Sequence, residues 1–224
     1  GSASGGAALV VRGDAGIKKP EDFKGKKIAS PQLGNTQDVS LRAWLSKNDL
    51  RLKEVGGDVR VLPLANADQL TLFLKKEIDA AWTVEPWVQM LIQKAGGQLY
   101  LDESDLWPEG KYATTLVIVS SIFLNEHPDL VKKFLGVHVE LTDWIGQHPQ
   151  EAKEILKNEI EKETHKELPE SILNEAFKQI LFTYDPLKET VIQQSRSAFK
   201  AGFLKKEPDL DGLFKLNLLK EVLV

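Results

Sequence analysis

Apolar and polar residues alternate in short blocks along the first half of the chain, then give way to long stretches of helical spacing. Residues 7–12 (Ala-Ala-Leu-Val-Val-Arg) predict a strand, with Gly13-Asp14-Ala15-Gly16 as the turn leaving it. Pro20-Glu21-Asp22-Phe23 predicts a short helix ended by Gly25, and Lys27 to Ser30 a strand. From Gln37 to Lys47, Leu41, Trp44 and Leu45 recur at three- and four-residue spacing, the mark of a helix with one buried face. After Gly56-Gly57-Asp58, Val59 to Leu62 reads as a strand. It is followed by a helix capped by Asn66 or Asp68, with Leu70, Phe73 and Leu74 on one face. Ile78 to Thr83 predicts the next strand. Glu85-Pro86-Trp87 then opens a helix with Pro86 in its first turn and Val88, Leu91 and Ile92 inward; Gly96-Gly97 ends it, and Leu99 to Leu101 is a further strand. Strand and helix therefore alternate from about residue 26 to residue 101, which signals an α/β fold: a mostly parallel sheet with helices on both faces.

Asp105 to Gly110 breaks the rhythm, and Tyr112 to Ser120 reads as one long strand. Helices are expected from about Pro128 to Gln147, Pro149 to Glu163, Pro169 to Leu181 and Lys188 to Phe203, with a last one near the end. Their apolar faces need a sheet, yet only residues 7–12 and 112–120 remain to supply one. The expectation is that an N-terminal portion with further strands belongs to this lobe and precedes Gly1, which is not a methionine.

The passage Pro31-Gln32-Leu33-Gly34-Asn35-Thr36-Gln37-Asp38 joins a strand to a helix. Gly34 is free to take backbone angles closed to other residues. Asn35 or Thr36 is placed to cap, and Asp38 stands three residues after Asn35, as in a capping box. The first N–H groups of such a helix have no acceptor inside it and lie at the positive end of its dipole, a seat for an anion. In an open parallel sheet, ligands sit outside the carboxyl ends of the strands. That places Glu85 and Trp87, after another strand, at the same crevice as Asn35, Thr36 and Gln37.

The 224 residues suffice for one large domain or two small ones. A net charge of −4 with interspersed signs and no basic run argues against a nucleic-acid surface. The absence of cysteine excludes a disulfide scaffold, a thiolate metal site and a cysteine nucleophile. No apolar stretch is long enough to span a membrane. His127, His138, His148 and His165 all fall in the helical half without carboxylates at metal-ligand spacing, and two of them precede prolines. No phosphate-loop, dinucleotide or Gly-x-Ser-x-Gly fingerprint occurs. No catalytic residue, metal ligand or cofactor is expected, and Lys153 to Lys166 reads as a solvated helix face.

Four passages together, Ala3 to Arg12, Pro31 to Val39, Ala80 to Trp87, and Asp105-Leu106-Trp107-Pro108 through Thr114-Thr115, resemble the solute-binding proteins of ABC importers. The branch is that of aliphatic sulfonates, taurine and nitrate, which shares its fold with thiamine-precursor binders. The resemblance implies a type II periplasmic-binding-protein fold, two α/β lobes joined by two crossover strands. Residues 14–110 would form the second lobe. Residues 1–13 would carry part of the first lobe and the first crossover, near Arg12. Residues 111–224 would carry the second crossover, near Tyr112, and the helical remainder of a first lobe left incomplete. It further implies an anionic head group at Gly34, Asn35, Thr36 and Gln37, bordered by Glu85, Trp87 and Thr114 and faced by Ser2 and Ser4 from the other jaw. The expected partners are a small sulfonate-like solute and the transmembrane permease, with the protein a monomer in the periplasm or held at the membrane as a lipoprotein. Taurine, nitrate or a thiamine pyrimidine precursor are alternative ligands. A thiamine-pyrimidine-synthase-like enzyme and a receptor sensing domain are readings of other classes.

Overall fold

The computed structural model describes residues 1–164 and 167–224. His165 and Lys166, the end of the expected solvated face, lie outside the described residues. The chain begins with two strands in near succession, β1 (Ala3–Gly5) and β2 (Ala7–Arg12). At their junction Gly5 and Gly6 both have positive φ, 81° and 76°, a region closed to most side chains. This turn sends β1 and β2 into different sheets.

The larger sheet adds β3 (Lys27–Ser30), β4 (Arg60–Pro63), β5 (Ala80–Val84) and β6 (Gly97–Asp102), in the order β4-β3-β5-β2-β6. β3 runs parallel to β4 and β5, and β2 runs antiparallel to β5 and β6. The carboxyl ends of β3, β4, β5 and β6 therefore share one edge, which β2 enters at its own start. Alternate residues face opposite sides, as strand geometry requires. Leu9, Val11, Ile28, Ala80 and Trp82 meet Leu41, Trp44 and Leu45 of α1 (Thr36–Lys47) and Phe23 on one face. There the rings of Phe23 and Trp44 meet edge-on, 5.2 Å apart. Ala8, Val10, Ala29 and Ala81 meet Phe73 of α2 (Asn66–Leu74) and Val88 and Leu91 of α3 (Trp87–Ala95) on the other.

The smaller sheet is antiparallel, with β1 flanked by β7 (Ala113–Thr115) and β8 (Ile180–Phe182). Around it lie α4 (Ser121–Glu126), α5 (Pro128–Gln147), α6 (Pro149–Thr164), α7 (Glu170–Gln179), α8 (Lys188–Lys200) and α9 (Asn217–Val222).

Several expectations need correction. Residues 7–12 pair inside the larger sheet, between β5 and β6, so the chain passes between sheets at Gly5-Gly6 and not near Arg12. The strand expected from Tyr112 to Ser120 pairs only over Ala113–Thr115, because Leu116 to Val119 meet no ladder and stay exposed. The helix expected to run to Leu181 stops at Gln179, since β1 offers Ile180–Phe182 a strand partner. β1 and α4 answer to no expected element. α2 is preceded by Ala65 without a side-chain cap; Asn66 instead accepts from Thr83, 2.9 Å away. Leu74 is exposed, and Gln69 takes a buried place beside Phe73. The shortage of sheet under the later helices is plain: α5 buries no residue, and Leu130, Phe134, Val137 and Leu141 form an exposed stripe on it.

Candidate ligand-binding site

At the carboxyl edge of the larger sheet, β3 turns into α1 through Gly34, whose φ of 75° suits glycine. Asn35 caps the helix, its side chain accepting from the Asp38 amide at 2.9 Å. Asp38 is not the second half of a capping box. Its fully buried carboxylate accepts from Ser30 Oγ at 2.7 Å, the Gly34 amide at 2.9 Å and Arg42 Nε at 3.0 Å. The Asn35 amide turns to the Gln32 carbonyl. The N–H groups of Thr36 and Gln37, the first two helical residues, have no acceptor within the helix. Charge-assisted bonds to Asp38 thus fix the loop from beneath, leaving the helix dipole to act on what lies beyond it.

From above, the ring of Phe203 lies on Gly34: a Cβ built there would be 3.3 Å from the ring. The Arg42 guanidinium sits 5.3 Å from the centre of the same ring. α1 packs against α8, so the later part of the chain covers the loop.

Glu85 follows β5. Its amide donates to the Gly6 carbonyl at 2.7 Å, which ties it to the passage between sheets. Its buried carboxylate accepts from the Gln89 amide at 3.3 Å and from Gln89 Nε2 at 3.1 Å. Burial pushes its pKa up to about 7, Asp102 and Glu175 push the same way, and the Gln89 bonds oppose them. Pro86, joined to Glu85 by a cis bond, is the cap of α3 and not part of its first turn. Trp87, half-buried, is the first helical residue.

The residues expected from the other jaw surround β1. The Ser2 amide donates to the Thr115 carbonyl at 3.0 Å. Buried Ser4 accepts through Oγ from the Tyr112 amide at 3.1 Å, and Thr114 Oγ1 donates to the Gly5 carbonyl at 2.8 Å. Both hydroxyls therefore serve the junction of the two sheets. A cleft of about 220 Å³ opens there, lined by Ser4, Gly6, Asp102, Lys111 and Gln179 among others. Ser4 is the one expected site residue that lines it. The structure thus gathers Gly34, Asn35, Thr36 and Gln37 in one loop, and Ser2, Ser4 and Thr114 at the small sheet. Glu85 stands at the passage between the sheets, and Trp87 begins the helix beyond it.

Sequence reasoning missed Arg42, Phe203 and Glu103. Glu103, at the end of β6, is buried and accepts from Ser40 Oγ at 2.6 Å and Trp82 Nε1 at 2.7 Å. Burial raises its pKa, against the donors Ser40 and Trp82. Nothing in local spacing marks it. Among the described residues there is no group of three His, Cys, Asp or Glu able to hold a metal ion, and no helix long and apolar enough to cross a membrane.

Comparison with known proteins agrees with this architecture. A Bacillus subtilis protein named as aliphatic sulfonates-binding is 24% identical over 218 residues, 96% of this chain and 62% of that protein. The crystal structure of the periplasmic aliphatic sulphonate binding protein SsuA from Escherichia coli aligns with a TM-score of 0.74 at 17% identity, covering 94% of this chain and 67% of that one. The desulfurization enzyme DSZB shares the fold too, with a TM-score of 0.67 at 16% identity over 99% of this chain and 78% of that one. The chain spans less than half the length of some curated relatives, 42% of a binding protein from Brucella abortus. The fold is that of periplasmic binding proteins, and with residues 5–158 matching its pattern, the chain belongs to the NMT1-like family.

Proposed function

We propose that the protein is the solute-binding component of an ABC importer and captures a small anionic organic molecule, an aliphatic sulfonate, between two lobes. One lobe is built on the larger sheet and spans the bulk of residues 14–110. The other is built on the smaller sheet and on residues 111–224. The observation that carries the reading is the Gly34–Gln37 loop: a helix N-terminus at the carboxyl edge of the sheet, fixed by a buried carboxylate and covered by the other half of the chain. Amides without helical acceptors suit an oxyanion, and they hold it without a dedicated ion pair, because Arg42 is engaged with Asp38. Closure is a hinge motion at Gly5-Gly6 and Lys111-Tyr112, favoured by contacts that the closed form alone makes.

The names of the relatives support the sulfonate assignment. Taurine, nitrate and a thiamine pyrimidine precursor remain the competing ligands. The proposed setting is the periplasm or the outer face of a membrane, with the permease as partner and the binder a monomer. Although an enzyme shares the fold, we read the protein as a non-enzymatic binder, so that ligand is recovered unchanged. Calorimetry of the protein against taurine, ethanesulfonate, longer alkanesulfonates, nitrate and an aminopyrimidine tests this. Micromolar or tighter binding of a sulfonate is expected; tight binding of the pyrimidine with none of any sulfonate overturns the assignment.

A further inference from the structure

We infer that Phe203 is a positioning residue for the anion loop, holding Gly34 from the later part of the chain so that the Thr36 and Gln37 amides are presented to the ligand. The inference rests on the reading of that loop as the ligand seat. Four side chains and backbone groups close a circuit. The Gly34 amide donates to Asp38, and Asp38 accepts from Arg42. Arg42 lies against the Phe203 ring, and the ring rests on Gly34. Three members belong to the loop and α1, and the fourth arrives from the other end of the chain.

Phe203 is itself held in place. It follows Gly202, whose φ is 84°, and its amide donates to the Ala198 carbonyl in the last turn of α8 at 3.0 Å. The absence of a side chain at position 34 is what allows the ring to approach so closely. The aromatic face matters beyond its bulk, since a guanidinium is attracted to a ring quadrupole and not to an aliphatic side chain. Loss of the ring frees Arg42 to turn to solvent. That loosens one of the donors holding Asp38 and, through Asp38, the Gly34 amide.

The test compares wild-type protein with Phe203→Leu and Phe203→Tyr. Leucine keeps apolar bulk, and tyrosine keeps the aromatic face. Hydrogen–deuterium exchange without ligand is the first readout. Phe203→Leu is expected to speed exchange of the amides from Leu33 to Gln37 by roughly two- to five-fold, with β5 and α3 unchanged and Phe203→Tyr like wild type. Dissociation of ethanesulfonate, followed by stopped-flow tryptophan fluorescence, is expected to accelerate by a similar factor in Phe203→Leu and to recover in Phe203→Tyr. Unchanged exchange in the loop, or exchange raised throughout the molecule, overturns the inference. So does a faster-exchanging loop with unaltered ethanesulfonate release. A wild-type protein that binds none of the panel overturns the functional reading instead, and the exchange pattern still shows whether Phe203 holds the loop.

Discussion

The backbone amide of Gly34 lies 2.9 Å from Oδ2 of Asp38, and this bond orients the turn from β3 into α1. Asp38 is fully buried and its ion-pair partner Arg42 partly so, which leaves the carboxylate itself out of reach of water. Asp38→Ala leaves Ser30, Gly34 and Arg42 without their acceptor, and a loss of about 3–5 kcal/mol is expected. Urea unfolding measures it. A loss under about 1 kcal/mol would show that the loop is held by something else.

Glu85 sets a pH dependence. Its folded pKa, about 7, stands above its ordinary value of 4.5, so between those values the folded state binds more protons than the unfolded one. Stability therefore falls as pH rises from about 4.5 through about 7 and then levels off. The groups facing Glu85 are Gln89, Asp102 and Glu175. Glu103 contributes in the same direction, so Glu85→Gln should flatten the slope without abolishing it. Unfolding free energies from pH 5 to pH 8 for both proteins decide the point; identical slopes would remove Glu85 as the cause.

Trp82 Nε1 donates to Glu103, which is buried just after β6. Trp82→Phe removes one of the donors to a buried carboxyl group and leaves a small void beside Trp44. The expected cost is roughly 1–3 kcal/mol, read as a lower urea midpoint at unchanged slope. A midpoint equal to wild type would mean that Glu103 finds a substitute donor.

Two glycines should respond oppositely to alanine. At Gly97 a Cβ would lie 2.7 Å from Val10 Cγ1 and 2.9 Å from the Leu91 carbonyl oxygen, which belongs to the backbone of α3. Gly97→Ala should cost about 1–3 kcal/mol. At Gly136, inside α5, no atom beyond the adjacent residues and the helix's own nearby backbone lies within 4 Å of the added carbon. Gly136→Ala should therefore stabilise by roughly 0.5–1 kcal/mol through helix propensity. Thermal melts of the two variants test the pair, and shifts of the same sign would contradict the packing described.

Where neighbours along the chain decide the structure, the sequence alone determined it. Lys27–Ser30 as a strand, a cap at Asn35 or Thr36, Gly96 as a helix end and the bounds Pro128 and Gln147 of α5 follow from propensity, capping and proline sterics, which act within a few residues. So does the alternation of apolar residues that puts Leu41, Trp44 and Leu45 inward. The passages quoted for the family resemblance were equally legible, and so was the candidate loop, as a glycine turn entering a capped helix.

The tertiary structure decided what depends on partners distant in sequence. Tyr112 to Ser120 has strand-like residues throughout, but a strand exists only where another supplies hydrogen bonds, and β1 reaches just Ala113–Thr115. Ile180–Phe182 could have prolonged α7; pairing with β1 made it an edge. Asp38 had the spacing of a capping box and instead met Gly34 and Arg42 in the interior. Phe203 on Gly34, Glu85 against Gly6 and Glu103 under Trp82 join residues with no shared periodicity. Local rules fix each element's type and its ends, whereas a site assembled from several loops needs the packing of the sheets, and that packing is a property of the whole chain.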